Sequence, residues 1–483
     1  MGRYQSICFV YPDDGQSARF DRMYPPLGLE LVAAGVRDRV RDRTLIDLRF
    51  EQNWEQLIPE NTDLVALSLL WEMPLARVFG LVRTIKRLRP GVTVVAGGRA
   101  AETNREALVS APADERVDVV FSGPDDGRFR EFVTAGLPDF VPGASFVRDG
   151  AYHQTPMPPN GPIPDLPLPD RSLRRVRYGV IRKDGFDFGF ATDAIQTSRG
   201  CPFNCAFCTF NRDLAGRHIG YTARSPESVA DELEEIEAPF VIFVDDLAFH
   251  RPDRMEQLCD ILLERGIRKK FWIETRINMG MRPQTVEKMA RAGFRYVQFG
   301  LESMHDHVLD FLNKGYHRKQ IEKAFSRIRH VPIVKVANFI IGSVGETREE
   351  MLQIPDFARK IGLDGITIHP LRCRGPEPLA EKVIAAPGYH IHPDSKRVYS
   401  DELSVADIST IAKQIKRDFW TPARRLKTIW KMQRLMLGPL DPPAVATRWA
   451  WWKLHGAPDP WGNRPSDTGS PPQPPLVSEG VGR

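Results

Sequence analysis

The chain reads as an α/β protein of two units followed by a helical C-terminal region, and three observations predict this. Its first 130 residues alternate short, near-continuous apolar segments with helical patterns. A proline-dense stretch then breaks the alternation. Beyond it, six more strand–helix units follow between residues 194 and 369.

In the first unit the strand candidates are Ser6–Tyr11 (SICFVY), Arg43–Leu48, Asp63–Leu70, Val92–Ala96 and Val117–Phe121. Pro26–Val36 and Ala76–Leu88 carry helical spacing. Strands that are apolar on both faces, separated by helices, predict a parallel sheet covered on both sides. This is a doubly wound, Rossmann-like domain over residues 1–135. Its ligand is expected beyond the carboxyl ends of the strands, where the strand order reverses.

Residues 156–169 hold seven prolines, which neither pair into a sheet nor continue a helix. They predict an extended linker over 136–185. The second unit, 186–398, has strand candidates Ala194–Thr197, Val241–Val244, Phe271–Thr275, Tyr296–Gly300, Lys335–Ile341 and Gly365–His369. Helical patterns at Pro226–Glu237, Arg254–Glu264, Gln284–Ala292, Arg318–Ile328 and Arg348–Ile361 separate them. Six units are too few to close a full barrel, so a partial (β/α)6, TIM-like barrel is predicted, with its site at the carboxyl ends of the strands. Residues 399–457 read as helical, with Ala406–Phe419, Pro422–Leu437 and a tryptophan-rich Thr447–Lys453 (TRWAWWK). That last stretch suits packing against the barrel, a cover over a large ligand, or contact with a membrane surface. The tail 458–483, rich in Gly, Pro and Ser, reads as disordered.

Composition narrows the class. Of 483 residues, 42% are hydrophobic and 27% charged, which excludes a mostly disordered chain. Lys plus Arg number 67 against 62 acidic residues, a net charge of +5 that gives no reason to expect nucleic acid. Mean hydropathy is −0.33. No apolar run approaches the ~20 residues of a membrane span. Asp13 and Asp14 arrive too early for a signal peptide, so a cytoplasmic chain without a transmembrane segment is expected.

Cysteine placement is the sharpest clue. Cys8, Cys259 and Cys373 are scattered in apolar or helical settings, whereas Cys201, Cys205 and Cys208 fall in Gly200-Cys201-Pro202-Phe203-Asn204-Cys205-Ala206-Phe207-Cys208. Three thiolates at C-x3-C-x2-C can ligate three irons of a cubane cluster and leave the fourth iron open. A structural zinc site would want a fourth protein ligand, and the nearest, His218, is ten residues on. A redox dithiol at Cys205 and Cys208 would leave Cys201 idle. The loop follows the first barrel strand, where such a fold keeps its chemistry.

This segment resembles the signature of the radical S-adenosylmethionine superfamily, and residues 185–375 resemble its catalytic domain. The resemblance implies a [4Fe–4S] cluster on Cys201, Cys205 and Cys208, its open iron chelating S-adenosylmethionine by amine and carboxylate. Phe207 resembles the aromatic residue near the adenine. Val244-Asp245-Asp246 stands where the family has a "GGE"-type motif for the methionyl amine; without the two glycines, that role falls to Asp245 or Asp246. Glu274-Thr275-Arg276, with Glu274 and Arg276, and Gln298-Phe299-Gly300-Leu301-Glu302-Ser303, with Gln298 and Glu302, resemble segments that contact ribose and carboxylate. Gly342 and Gly345 lie in a stretch resembling the glycine-containing fifth-strand motif beside the adenine. Plainer roles exist too: Asp245 or Asp246 as a helix cap, Arg276 in an ion pair, the glycines as turn formers.

The first unit lacks G-x-G-x-x-G and Walker signatures. Tyr24-Pro25-Pro26-Leu27-Gly28-Leu29 instead resembles the "PPLGL" of cobalamin-binding domains attached to radical S-adenosylmethionine enzymes. Ser68-Leu69-Leu70 and Ala96-Gly97-Gly98 resemble their Ser-x-Leu and Gly-Gly segments. The resemblance implies cobalamin contacts from Pro26, Gly28, Ser68, Leu70, Gly97 and Gly98. The usual Asp-x-His-x-x-Gly is absent, and residues 1–152 contain no histidine, so no histidine is expected below the cobalt. Trp71, Glu72 and Met73 are the residues expected beneath the corrin.

Together these features imply an enzyme that generates a 5′-deoxyadenosyl radical and C-methylates an unactivated carbon of a small-molecule substrate through methylcobalamin. An external one-electron reductant such as ferredoxin or flavodoxin is implied with it. Families that oxidise, cyclise or rearrange their substrates, such as the anaerobic oxidative cyclase of the chlorophyll pathway, share the same parts and give the alternative activity. Arg372, Arg374 and Glu377, after the sixth strand, are candidates to meet a charged group on the substrate.

Overall fold

The structure, a computed structural model, describes residues 3–436 except 14–23, 71–72, 125–126, 137, 158–166, 177, 179–181, 184–185, 188–190, 211, 214–215, 249 and 376–377. Trp71, Glu72, Glu377, Thr447–Lys453 and the tail therefore lie outside the described residues, as does much of the proline-rich stretch.

Seven strands form the first sheet: β1 (Ser6–Tyr11), β2 (Asp42–Asp47), β3 (Leu64–Ser68), β4 (Thr93–Gly97), β5 (Val119–Phe121), β6 (Ala144–Arg148) and β7 (Ala151–Gln154). Their order is β2-β1-β3-β4-β5-β6-β7. β1 to β5 pair in parallel, while β6 and β7 add antiparallel. Successive side chains on a strand point to opposite faces. Ile7, Phe9, Leu45, Ala66 and Val95 accordingly pack under the helices Leu27–Gly35 and Arg128–Ala135. Cys8, Val10, Ile46, Val65 and Ala96 pack under Leu75–Leu88 on the other face. That helix forms because Val78, Val82 and Ile85 recur on one stripe. The sheet is doubly wound, and its order reverses between β1 and β3. The expected linker contributes to the sheet: β6 and β7 lie within 136–185, so pairing extends to Gln154 rather than ending near 135.

The second sheet has six strands: β8 (Thr192–Ile195), β9 (Phe240–Phe243), β10 (Lys270–Thr275), β11 (Phe294–Glu302), β12 (Val334–Ile341) and β13 (Gly365–Pro370). They are parallel and adjacent in chain order, as in an open, partial barrel. One side of this sheet, including Phe271, Ile273, Phe299, Phe339 and Ile368, packs against the surrounding helices in the largest core. Helix Val405–Phe419 joins it through Ile408, Ile411, Ile415 and Phe419. A second C-terminal helix, Pro422–Met436, docks through Arg424 on Leu363 O and Thr428 on Asp364 O. Among the described residues, no helix is long and apolar enough to cross a membrane.

The segment Asp170–Tyr178 straps the two units together. Arg174 donates to Glu30 of the first helix (2.6 and 2.8 Å) and to Asp193 of β8 (both 2.8 Å). Arg171 reaches Asp193 (3.0 Å) and Glu232 (2.6 Å), and the Tyr178 hydroxyl donates to Asp47 at 2.9 Å.

Candidate active site

Thr197 and Ser198 follow β8 and lead into the cysteine loop, and two carboxylates at the end of β9 hold them. Asp245 accepts from Thr197 N (2.6 Å), Thr197 Oγ1 (3.1 Å), Ser198 Oγ (3.0 Å) and Ser198 N. It is buried, which pushes its pKa up to about 7 against the pull of those donors. Asp246 accepts from Gly200 N at 2.9 Å. Burial raises its pKa as well, while Arg99 of the first unit pulls it down. Gly200 has φ +70°, and a Cβ there would lie 2.3 Å from Gly220 O. Both aspartates thus stand where the sequence reading put them, but their described bonds go to the chain entering the cysteine loop.

Cys205 is buried, and Cys201 and Cys208 are partly exposed. Burial raises the Cys201 thiol, and nearby Cys205 adds to the rise. Cys208 N donates to Cys205 O at 3.3 Å, and Ala206 N to Leu312 O at 2.9 Å. His218 Nε2 lies 3.3 Å from Phe203 O, a backbone carbonyl of the cysteine loop. Among the described residues, no three His, Cys, Asp or Glu side chains converge as a finished metal cage. What fits a thiolate-bound cluster is the donor set on one anchored loop, together with a guanidinium N–H aimed at sulfur.

That guanidinium is Arg276, just past β10. Its Nη1 donates to Cys205 Sγ at 3.3 Å and its Nη2 to Lys314 O. Its plane lies over the Phe203 ring, 3.8 Å from the centroid. Lys314 is buried beside it, with Nζ 3.2 Å from Glu302 Oε1. Burial opposes the Lys314 charge, but Glu302 prevails and the pKa is raised. Glu302 adopts φ +67°, where β11 shifts register between Gly300 and Glu302. A Cβ on Gly300 would fall 2.7 Å from Glu302 Oε1, so glycine there makes room for the pair. Lys314 was not found from sequence. It lies outside every described strand, in the connection after the short helix Asp306–Phe311, between Asn313 and Gly315.

Because Phe271, Ile273, Phe299, Ala337 and Ile368 face the outer core, their neighbours face inward. This inner row contains Trp272, Glu274, Tyr296, Gln298, Asn338, Thr367 and His369. Gln298 Nε2 donates to Asn338 Oδ1 at 2.8 Å, and Thr367 Oγ1 donates to the same oxygen. Glu274 is solvent-accessible yet ringed by protein; desolvation, then Glu302, raises its pKa to about 6. Trp272 and Tyr296 rings lie 4.9 Å apart, and Tyr24 of the first unit approaches Trp272 at 6.4 Å. This face is polar and aromatic, unlike the branched aliphatic filling of a closed barrel. His369, exposed at the end of β13, was a miss that strand alternation from Gly365 would have found; partial desolvation lowers its pKa.

Phe207 packs beside Val308, Leu312 and Ile340, with Lys314 Nζ 5.6 Å from its ring centroid. Gly342 (φ +76°) faces the C-terminal helix, since a Cβ there would meet Ile408 Cδ1 at 2.9 Å. Gly345 N donates to the Tyr389 hydroxyl at 2.8 Å. Just after Gly345, buried Glu346 accepts from Gly342 N (2.8 Å) and Ser343 N (3.2 Å), and desolvation pushes its pKa up to about 8. An acid whose pKa is raised on folding binds more protons in the native state, so its contribution to stability falls as pH rises from about 4.5 to 8. Glu346→Gln is therefore expected to gain on the parent protein by up to ~4 kcal/mol between pH 5 and pH 9. Denaturant melts at both pH values check this, and a constant difference would reject it.

In the first unit, Ser68 pairs with Gly97 across β3 and β4. The Ser68 hydroxyl has no partner among the described residues. Gly98 (φ +97°) wraps around Leu69, and a Cβ would come 2.6 Å from Leu69 O. A Cβ on Gly97 or Gly28 would meet nothing within 4 Å. Pro26 is buried and Met73 half-buried. Leu70 at the end of β3, Val244 at the end of β9 and Phe210 after the cysteine loop are 46%, 37% and 54% exposed. Cys8 and Cys259 are buried thiols pushed up to about 12 by desolvation, and Cys373 is buried too.

Comparison with known proteins gives the same two halves. The radical SAM superfamily model matches residues 195–358, and the B12 binding domain model matches 17–133. An uncharacterised methyltransferase of Pyrococcus horikoshii is 26% identical over 355 residues, covering 70% of this chain and 74% of that one. The hopanoid C-3 methylase of Methylococcus capsulatus is 29% identical over 293 residues, 58% of this chain and about half (53%) of its own length. Among solved structures, the radical S-adenosylmethionine methyltransferase TsrM of Kitasatospora setae, with cobalamin and a [4Fe–4S] cluster bound, superposes with a TM-score of 0.64. It is 18% identical and covers 91% of this chain and 90% of its own, a likeness of fold.

Proposed function

This chain belongs to the cobalamin-binding radical S-adenosylmethionine enzymes, and we propose that it transfers a methyl group to an unactivated carbon of a small-molecule substrate. The observation that carries this reading is the make-up of the β1/β3 switch point. Residues 1–152 contain no histidine, and the described strand ends there offer a serine hydroxyl, Leu70, Met73 and glycines. A corrinoid seated on them would meet no histidine from residues 1–152, and such a floor would suit a cofactor that gives up a methyl group.

When bound, the cluster and S-adenosylmethionine supply hydrogen-abstracting power, and the corrinoid a transferable methyl group. Cys201, Cys205 and Cys208 would hold the cluster. Asp245 and Asp246 fix the loop that carries them. Glu274 and Gln298 offer an acceptor and an amide to ribose and carboxylate on the inner barrel face. Leu70 and Met73 keep water from the corrin, while Ser68 and Gly97 admit its nucleotide tail.

Two neighbouring glycines separate a structural from a ligand-admitting role. Gly98→Ala should destabilise the protein by about 2–4 kcal/mol, because the new Cβ strikes backbone at positive φ. Gly97→Ala should leave stability within ~0.5 kcal/mol of the parent yet weaken corrinoid retention at least tenfold. Unchanged retention in Gly97→Ala would remove this residue from the tail site.

The function is tested by quantifying corrinoid and iron in protein purified anaerobically with cobalamin available. About one corrinoid per chain alongside about four irons is expected. Label from methyl-labelled S-adenosylmethionine should then appear in the product. An intact cluster forming deoxyadenosine without corrinoid, or with an unlabelled product, would replace methylation by oxidation, cyclisation or rearrangement.

A further inference from the structure

We propose that Arg276 and Lys314 are positioning residues that raise the reduction potential of the cluster through Cys205, an inference resting on the assignment of Cys201, Cys205 and Cys208 as its ligands. Both cations are buried. Taking a cation out of water costs several kcal/mol unless an anion or well-placed acceptors compensate. Lys314 has such a partner in Glu302, 3.2 Å away.

Arg276 has no carboxylate partner among the described residues. Its bonds go to a backbone carbonyl and to Cys205 Sγ, and its faces to the rings of Phe203 and Tyr316. Among the described residues, the ionisable group that it hydrogen-bonds directly is the Cys205 sulfur. Three thiolates around an iron cluster supply that negative charge, which grows when one electron is added from an external donor. A hydrogen-bonded guanidinium and a nearby ammonium favour the more negative, reduced state, and hydrogen bonds to ligand sulfur are among the terms that set such potentials.

The local backbone is shaped for this arrangement. Glu302 takes a left-handed conformation to reach Lys314, and Gly300 clears its path. Loop 312–314 is tied to the cysteine loop by Ala206 N to Leu312 O (2.9 Å) and by Asn313 Nδ2 to Asn204 O (2.6 Å). Charge and sulfur are therefore held at a fixed separation rather than meeting by chance on a mobile surface.

The test is potentiometric titration, followed by electron paramagnetic resonance, of anaerobically reconstituted protein without S-adenosylmethionine, with iron counted in each sample. Arg276→Leu and Lys314→Met should load iron as the parent does and show a midpoint shifted to more negative potential. Arg276→Lys, which keeps charge but loses the planar stack and the fixed N–H, should fall between. Loaded variants with the parent's midpoint would overturn the inference while leaving the cysteine assignment standing. Failure of both Arg276→Leu and Lys314→Met to hold iron would overturn it in favour of a purely structural role. A parent protein that binds no iron would sink the cysteine assignment itself.

Discussion

Arg174→Ala is expected to cost about 3–5 kcal/mol of folding stability. Arg174 is the shared partner of Glu30, on the first helix of the B12-binding unit, and Asp193, on the first barrel strand. Both carboxylates are buried, and desolvation already raises the pKa of Glu30. Removing the guanidinium leaves two carboxylates facing one another without a counter-charge, apart from what Arg171 lends to Asp193. A penalty of that kind comes from stranded charge, not from the worth of the ion pair. Neutralising the stranded groups should therefore recover much of it. Arg174→Met combined with Glu30→Gln and Asp193→Asn should melt well above Arg174→Ala alone. If the single variant unfolds at the parent's denaturant midpoint, the strap does not hold the units together as described.

That strap shows where sequence reading ran short. The strands were legible to within a few residues because parallel strands buried on both faces appear as apolar runs that nothing else in the chain imitates. Residues 136–185 looked like a spacer because of the seven prolines at 156–169. Nothing local announces that Arg174 meets Glu30, 144 residues earlier. The hairpin β6–β7 was hidden in the same way: two short, half-polar strands carry little apolar signal when they pair at a sheet edge.

The site divides along similar lines. The cysteine loop and the strand ends could be located in the sequence because the loop follows a recognisable strand and barrel chemistry is expected at carboxyl ends. What each side chain does there was not readable. Asp245 and Asp246 turn back to the loop backbone, Gly342 turns toward Ile408, and Arg276 turns to sulfur. These choices depend on which neighbouring loop fills the space. Lys314 enters that space from a connection whose sequence carries no periodic signal.

Asp245→Ala tests the most consequential of these reassignments, and it is expected to strip the protein of iron while costing about 2–4 kcal/mol. The carboxylate satisfies two buried backbone N–H groups, of Thr197 and Ser198, and two hydroxyls, all immediately before Gly200 and Cys201. Alanine leaves the amides unpaired at about 1–3 kcal/mol each, partly recovered where the loop shifts to admit water. A loop that shifts there moves its first cysteine, so iron retention should fall further than the melting temperature. Asp245→Asn supplies the control. It keeps one carbonyl acceptor for the two amides and carries no charge to desolvate. Because the parent's pKa is raised from 3.8 to about 7, the native state binds the extra proton between those values, and this group's contribution declines as pH rises through that window. The asparagine variant should therefore gain on the parent from pH 5 to pH 8 and retain most of its iron. A direct ligand to S-adenosylmethionine would behave otherwise. In that case Asp245→Ala would keep iron and stability and lose only affinity for S-adenosylmethionine, measurable by equilibrium dialysis, and the anchoring role assigned to Asp245 would fall.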